Sequence, residues 1–137
     1  MKHEQEPISR DEWLLRRVHV QYFRPGRFTV ISPNAFEPRL RGRAPDTNGI
    51  SLFRAACLPS PEELLNAITP DKRKDYGVVR ISVEFIKSLG LSVVSLPVPD
   101  LPGHVVIPEL NASAYAADKS RFTPMKMRLA EAASQIG

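Results

Sequence analysis

Gly77-Val-Val-Arg-Ile81, then Ser82-Val-Glu-Phe-Ile-Lys-Ser-Leu-Gly90, then Leu91-Ser-Val-Val-Ser-Leu96, and beyond the turn Pro97-Val-Pro-Asp-Leu-Pro-Gly103 the run His104-Val-Val-Ile-Pro-Glu-Leu110: the fold turns on how this stretch reads. It reads as strand, short helix, strand, turn, strand. Its β-branched residues are the densest in the chain and mark the core sheet. Ser82 has the oxygen to cap the helix, Gly90 stops it, and Leu91 supplies the apolar contact that follows a glycine stop. The strands Leu91–Leu96 and His104–Ile107 are expected to pair antiparallel, because their connection is short and rich in turn residues.

Downstream, Asn111–Asp118 is alanine-rich and reads as one or two helical turns. Thr123-Pro124 reads as the start of a last helix, with Met125, Leu129, Ala132 or Ala133 and Ile136 on its inner stripe. Upstream, Asp71–Asp75 is a charged surface loop. Ser60-Pro61-Glu62-Glu63 opens a helix to about Ile68, with proline at its first position. Ile50–Cys57 is a strand whose alternation puts Ile50, Leu52, Arg54 and Ala56 on one face and Ser51, Phe53, Ala55 and Cys57 on the other. Residues 34–49 form a long basic loop, and Phe28–Ile31 a short strand. Ser9 and Glu12 make a capping-box pattern, and Ile8 with Trp13 a hydrophobic staple. The segment from Ser9 to about Val18 is therefore expected to be helical, burying Trp13, Leu14 and Val18 and leaving Arg10, Arg16 and Arg17 outside. Residues 1–8 are expected to be disordered. The whole reads as one α+β domain over 9–137, with a mixed, mostly antiparallel sheet of about five short strands and peripheral helices.

A chain of 137 residues, 42% apolar and 25% charged, can bury one core without disulfides or metal. The single cysteine, Cys57, has no internal partner, and no apolar run is long enough for a membrane span. A cytoplasmic, membrane-free protein is the expectation. The charge is +4, and its distribution says more than its sum. Eight of the thirteen arginines lie between Arg10 and Arg43, against three acids, Asp11, Glu12 and Glu37. Arginine in preference to lysine favours bidentate and stacking contacts.

No P-loop, dinucleotide fingerprint or nucleophile elbow occurs, and His3, His19 and His104 lack metal-ligand spacing. No metal and no cofactor is implied. The first functional reading is a non-catalytic binding module that docks on a protein partner through the arginine-rich loop. Its contact residues are Arg24, Arg27, Arg39, Arg41, Arg43, Tyr22 and Phe36, since arginine and aromatic residues dominate interface hot spots. The second is binding of single-stranded nucleic acid by the same residues, the aromatics stacking bases and the arginines pairing phosphates. The third is a small transferase or hydrolase with a nucleotide-like substrate, using His104 and Arg54. By residue type alone, Arg54, Ser32, Phe36, His104 and Glu109 are similar to the pocket set of ADP-ribosyl-transfer folds. That third reading requires Arg54 and His104 to converge on one cleft.

Overall fold

A computed structural model describes residues 1–26, 29–42 and 45–136. Its centre is β1, Trp13–His19, rather than a helix. Only half of the capping box forms, because the Ser9 hydroxyl donates to Asp11 and the Glu12 N–H meets the Ser9 backbone carbonyl instead. The Ser9 N–H donates to Glu12 Oε2 at 2.7 Å, and the Glu12 N–H donates back to the Ser9 carbonyl at 3.2 Å. They close one turn, and the chain then leaves extended. The reason is in Leu14-Leu15: both side chains are buried, which a strand covered on both faces allows and a one-sided helical stripe does not. The backbone groups of β1 pair along its full length with β5, Tyr76–Ser82, from Trp13↔Ser82 to His19↔Tyr76.

Among the described residues the sheet has six strands. The others are β4 (Ile50–Arg54), β6 (Val94–Ser95), β7 (His104–Ile107) and β8 (Ser134–Ile136). Their spatial order is β6-β7-β4-β1-β5-β8. Each strand pairing among the described residues is antiparallel, in keeping with the mostly antiparallel sheet expected. The expected β6–β7 partnership forms, with Val94 opposite Val106. A separate ribbon joins β2 (Phe23–Arg24) to β3 (Val30–Ile31). Among the described residues four α-helices surround the sheet: α1 (Glu62–Asn66), α2 (Val83–Ser88), α3 (Ala112–Ala117) and α4 (Lys119–Ala132). The architecture is α+β.

Alternation along the strands divides the core. One face carries Leu14, Val18, Ile50, Leu52, Val79, Ile81, Val105 and Ile107, under residues from α2, α3, α4 and the 3-10 turn Pro33–Phe36. The other carries Leu15, Phe53 and Val78, under Leu58 and Leu64. Ser82 caps α2 through the Phe85 N–H at 3.1 Å, and Gly90 stops it with φ +80°.

Several boundaries differ from the sequence reading: β6 keeps only Val94–Ser95 of the expected Leu91–Leu96, α1 ends at Asn66 rather than near Ile68, and the expected loop from 34 begins in the 3-10 turn Pro33–Phe36. β4 ends at Arg54, and Ala55–Cys57 turns into a 3-10 segment. Pro70–Asp75 is a 3-10 turn rather than irregular loop. α4 starts at Lys119, capped by Asp118 Oδ1 on the Arg121 N–H, and Pro124 lies inside it. Ile136 belongs to no helix. The chain extends after Ala132, and β8 lies along β5 with Ile136 opposite Val78.

The first residues are also held. The Lys2 N–H donates to the Ala56 carbonyl at 2.7 Å, and the carbonyls of Glu4, Glu6 and Pro7 accept from Arg54. Among the described residues no helix is long and apolar enough to cross a membrane.

Candidate functional site

β1 and β4 pair at only two positions, Leu14↔Arg54 and Leu15↔Phe53. Beyond them β1 keeps its ladder with β5 and β4 keeps its ladder with β7. The sheet therefore opens in its middle, and the next two residues of β1 are Arg16 and Arg17. Arg16 bridges the opening. Its Nη1 donates to the Ser51 carbonyl at 2.7 Å and its Nε to the Ala35 carbonyl at 2.9 Å, with the guanidinium 5.8 Å from the Phe36 ring centre. Arg17 points to the opposite face, donates to the Leu64 carbonyl at 3.1 Å and lies 5.9 Å from the Phe53 ring centre.

Around these two arginines is a cleft of about 570 Å³. Arg39, Arg41 and Lys119 add positive charge to its wall, and Tyr22, Tyr76 and His19 add rings. A neighbouring crevice of about 410 Å³ shares Arg16, Arg17, Arg39 and Tyr76 and adds Lys72 and Ser51. Two acids, Glu37 and Asp46, also line the cleft, and both are engaged. Asp46 Oδ2 accepts the Arg39 backbone N–H at 2.6 Å, and Asp46 N–H returns a bond to the Arg39 carbonyl, which staples the loop shut. Glu37 meets the buried Lys126, whose Nζ also reaches Asn34 Oδ1 at 3.3 Å and Tyr115 Oη at 3.4 Å.

The ion pairs among the described residues are Lys2–Glu12, Arg54–Glu12 and Lys126–Glu37. None uses an arginine of the cleft. Burial brings the Arg16 guanidinium down to about 10; Asp46 pulls the other way, and the charges of Arg39 and Arg17 add to the lowering. Burial lowers Arg17 as well. This end of the sheet therefore holds two half-buried guanidinium groups with no ion-pair partner among the described residues.

Of the residues expected to bind, Arg39, Arg41 and Tyr22 line the cleft. Phe36 is fully buried beneath Arg16 and acts as its platform. Arg24 stands apart on β2, its Nη1 donating to the Gln21 carbonyl at 2.7 Å. Arg27 and Arg43, with Phe28, lie outside the described residues.

The structure does not bring Arg54 and His104 together. Phe53 pairs with His104, so His104 shares the face of Phe53, while Arg54 shares the face of Leu14. Arg54 is 0% exposed, and its guanidinium is committed. Nε and Nη2 grip the Glu12 carboxylate at 2.8 and 2.9 Å, and the three carbonyls of the N-terminal segment take most of what remains. Glu109 is also occupied, accepting the Ser92 N–H at 2.9 Å and its Oγ–H at 2.7 Å. The convergence that the enzyme reading needed is absent from these residues.

Sequence reasoning passed over Arg16 and Arg17. The signal was there: two adjacent arginines inside the apolar run Trp13-Leu14-Leu15-Arg16-Arg17-Val18. Read as a helix, they fall on a solvated side; read as a strand, they enter both faces of the sheet. Compared with known protein families, with curated proteins and with solved structures, the chain matches none.

Proposed function

We propose that this chain is a docking module and that the arginine cleft at the split between β1 and β4 receives an acidic group of a protein partner. One observation carries the reading: Arg16 and Arg17, half-buried on opposite faces of β1 where the sheet opens, both line the cleft and have no ion-pair partner among the described residues. A half-buried guanidinium with open N–H donors matches the planar, bidentate geometry of a carboxylate. Arg39 and Arg41 at the cleft wall steer the approach and fix orientation. The paired bonds between Arg39 and Asp46 tie Arg39 in place before binding, which lessens the ordering entropy lost there on contact.

A second reading, single-stranded nucleic acid, is favoured by the rings of Tyr22 and Tyr76 in the same cleft, where a base can stack beside a paired phosphate. Glu37 and Asp46 in the wall weigh against it, since a polyanion running through the cleft would meet both.

Fluorescence anisotropy separates the two. The probes are a labelled glutamate-rich peptide and a labelled single-stranded RNA, each titrated at low and moderate salt against the native chain and the double variant Arg39→Ala, Arg41→Ala. Peptide binding that weakens at least tenfold in the variant supports the docking reading. RNA binding alone, falling steeply with salt, transfers the site to the second reading. No binding of either at low salt ends both.

A further inference from the structure

We propose that Ser51 is an activated nucleophile with His104 as its base, in the crevice beside Arg17, and that it cleaves an ester carrying an anionic group.

The hydrogen bonds around His104 assign its protons. Nδ1 lies 2.6 Å from the Leu96 carbonyl oxygen. A carbonyl only accepts, so in the neutral ring Nδ1 carries the hydrogen and Nε2 carries the lone pair. Nε2 lies 2.9 Å from Ser51 Oγ. The serine hydroxyl must then donate to it, which is the nucleophile-to-base contact of acyl-transfer enzymes. The Leu96 carbonyl takes the orienting part that a carboxylate plays in a triad. The ring is further fixed by Phe53, centre to centre 5.1 Å, and by the Leu96 N–H on the His104 carbonyl at 3.0 Å. Pinning the 96–104 loop needs only the Nδ1 bond. The Nε2 bond goes instead to a half-buried serine that lines open space.

That space comprises the 410 Å³ crevice and an adjoining one of about 280 Å³, and both are lined by Ser51 and by Arg17. Among the described residues Arg17 makes one side-chain hydrogen bond, to Leu64, out of five available N–H donors. It retains the donors to hold an anionic substituent or the oxyanion of a tetrahedral intermediate. Ser51 and His104 sit on paired central strands, which is the rigid mounting that such chemistry requires.

The step balances without any further cofactor. Ser51 Oγ bonds to the ester carbonyl carbon as its proton passes to His104 Nε2. The bond to the alcohol oxygen then breaks, and the departing alkoxide takes the proton from His104. Water gives a proton to the same nitrogen as its oxygen bonds to the acyl carbon; the bond to Ser51 Oγ breaks, Oγ takes that proton back from His104, and the acid is released. This site shares Arg17 with the docking cleft but stands on Ser51 and His104, so failure of the peptide to bind leaves it untouched.

The full chain is treated with a fluorophosphonate probe, native and heat-unfolded, and the adduct is located by peptide mass spectrometry. Turnover of mono-4-nitrophenyl succinate, which carries a carboxylate, is compared with that of 4-nitrophenyl acetate. The expected results are an adduct on Ser51 in the native chain alone and faster cleavage of the succinate ester. His104→Gln is expected to slow labelling about 100-fold or more, the usual worth of a positioned base. Arg17→Gln is expected to slow the succinate ester selectively. A native chain without a Ser51 adduct, or one labelled no faster than the unfolded chain, overturns the proposal, as does unchanged labelling in a folded His104→Gln variant. If that variant fails to fold, the native-against-unfolded comparison still decides.

Discussion

Arg54 concentrates the cost and the gain of a buried charge in one side chain. It is fully enclosed, bidentate to Glu12 and bonded to three carbonyls. Removing one partner of such a pair strands the other, a loss of about 3–5 kcal/mol. Urea denaturation of Arg54→Met is expected to show a loss of that size. Arg54→Lys should also lose stability, because an ammonium cannot reproduce the two-point grip. The same pair sets an acid limit. Burial pushes the Glu12 carboxyl up, but the hydrogen bonds from Arg54 and the Ser9 N–H, with the charges of Arg54 and Lys2, outweigh it and leave it below its ordinary 4.5. A lowered acid stabilises the fold above its unfolded value, and that share is lost as pH falls through the folded value. Melting temperature followed from pH 7 downward should therefore drop below about pH 4.5, and Glu12→Gln should remove part of that drop.

At the scale of elements, the turns are the places where single atoms decide. Gly49 enters β4 with φ +117°, and a Cβ there would lie 2.2 Å from the Ile107 carbonyl oxygen. Backbone cannot yield as a flexible side chain can, so Gly49→Ala must part the first β4–β7 pair, Ile50↔Ile107. A loss of at least about 2 kcal/mol is expected, with faster amide exchange at the Ile50 end of β4. Ser82→Ala removes the α2 cap and is expected to cost about 1 kcal/mol by denaturant titration, leaving the strands unaltered. The contrast follows from position: the cap concerns one short helix, whereas Gly49 concerns the joint between two core strands.

For the whole molecule, the N-terminal segment is a strap. It crosses Arg54, and the Glu4 carboxylate accepts the Gly103 N–H at 2.9 Å, tying residues 1–8 to the far end of the 96–104 loop. Deleting residues 1–8 takes away three acceptors of Arg54 at once. A loss of about 2 kcal/mol or more is expected from thermal unfolding, together with increased exchange at Gly103. The arginine cleft lies at the other end of β1 from the Arg54 clamp, so this deletion should leave anion binding near its native strength. Circular dichroism and the peptide titration measure the two effects separately.

The central stretch from Gly77 to Ile107 was legible because its signals are local: the Ser82 cap, the Gly90 stop, the β-branched runs and the turn between two strands all act within a few residues. The α+β class followed from it. β1 was not legible, because Ser9-x-x-Glu12 offers a real local turn and only the long ladder with β5 makes the extended course win. β8 escaped for the same reason, since three residues after a helix become a strand only when β5 offers an open edge. The loop arginines Arg39 and Arg41 stood out by composition, and they do reach the cleft wall. Arg16, Arg17 and the Ser51–His104 contact did not stand out. The sequence by itself determined which residues carry charge and chemistry. Which of them meet was decided by register: one residue along β4 separates Phe53, beside His104, from Arg54 on the far face, and pairing between strands is a long-range choice that no short window of sequence encodes.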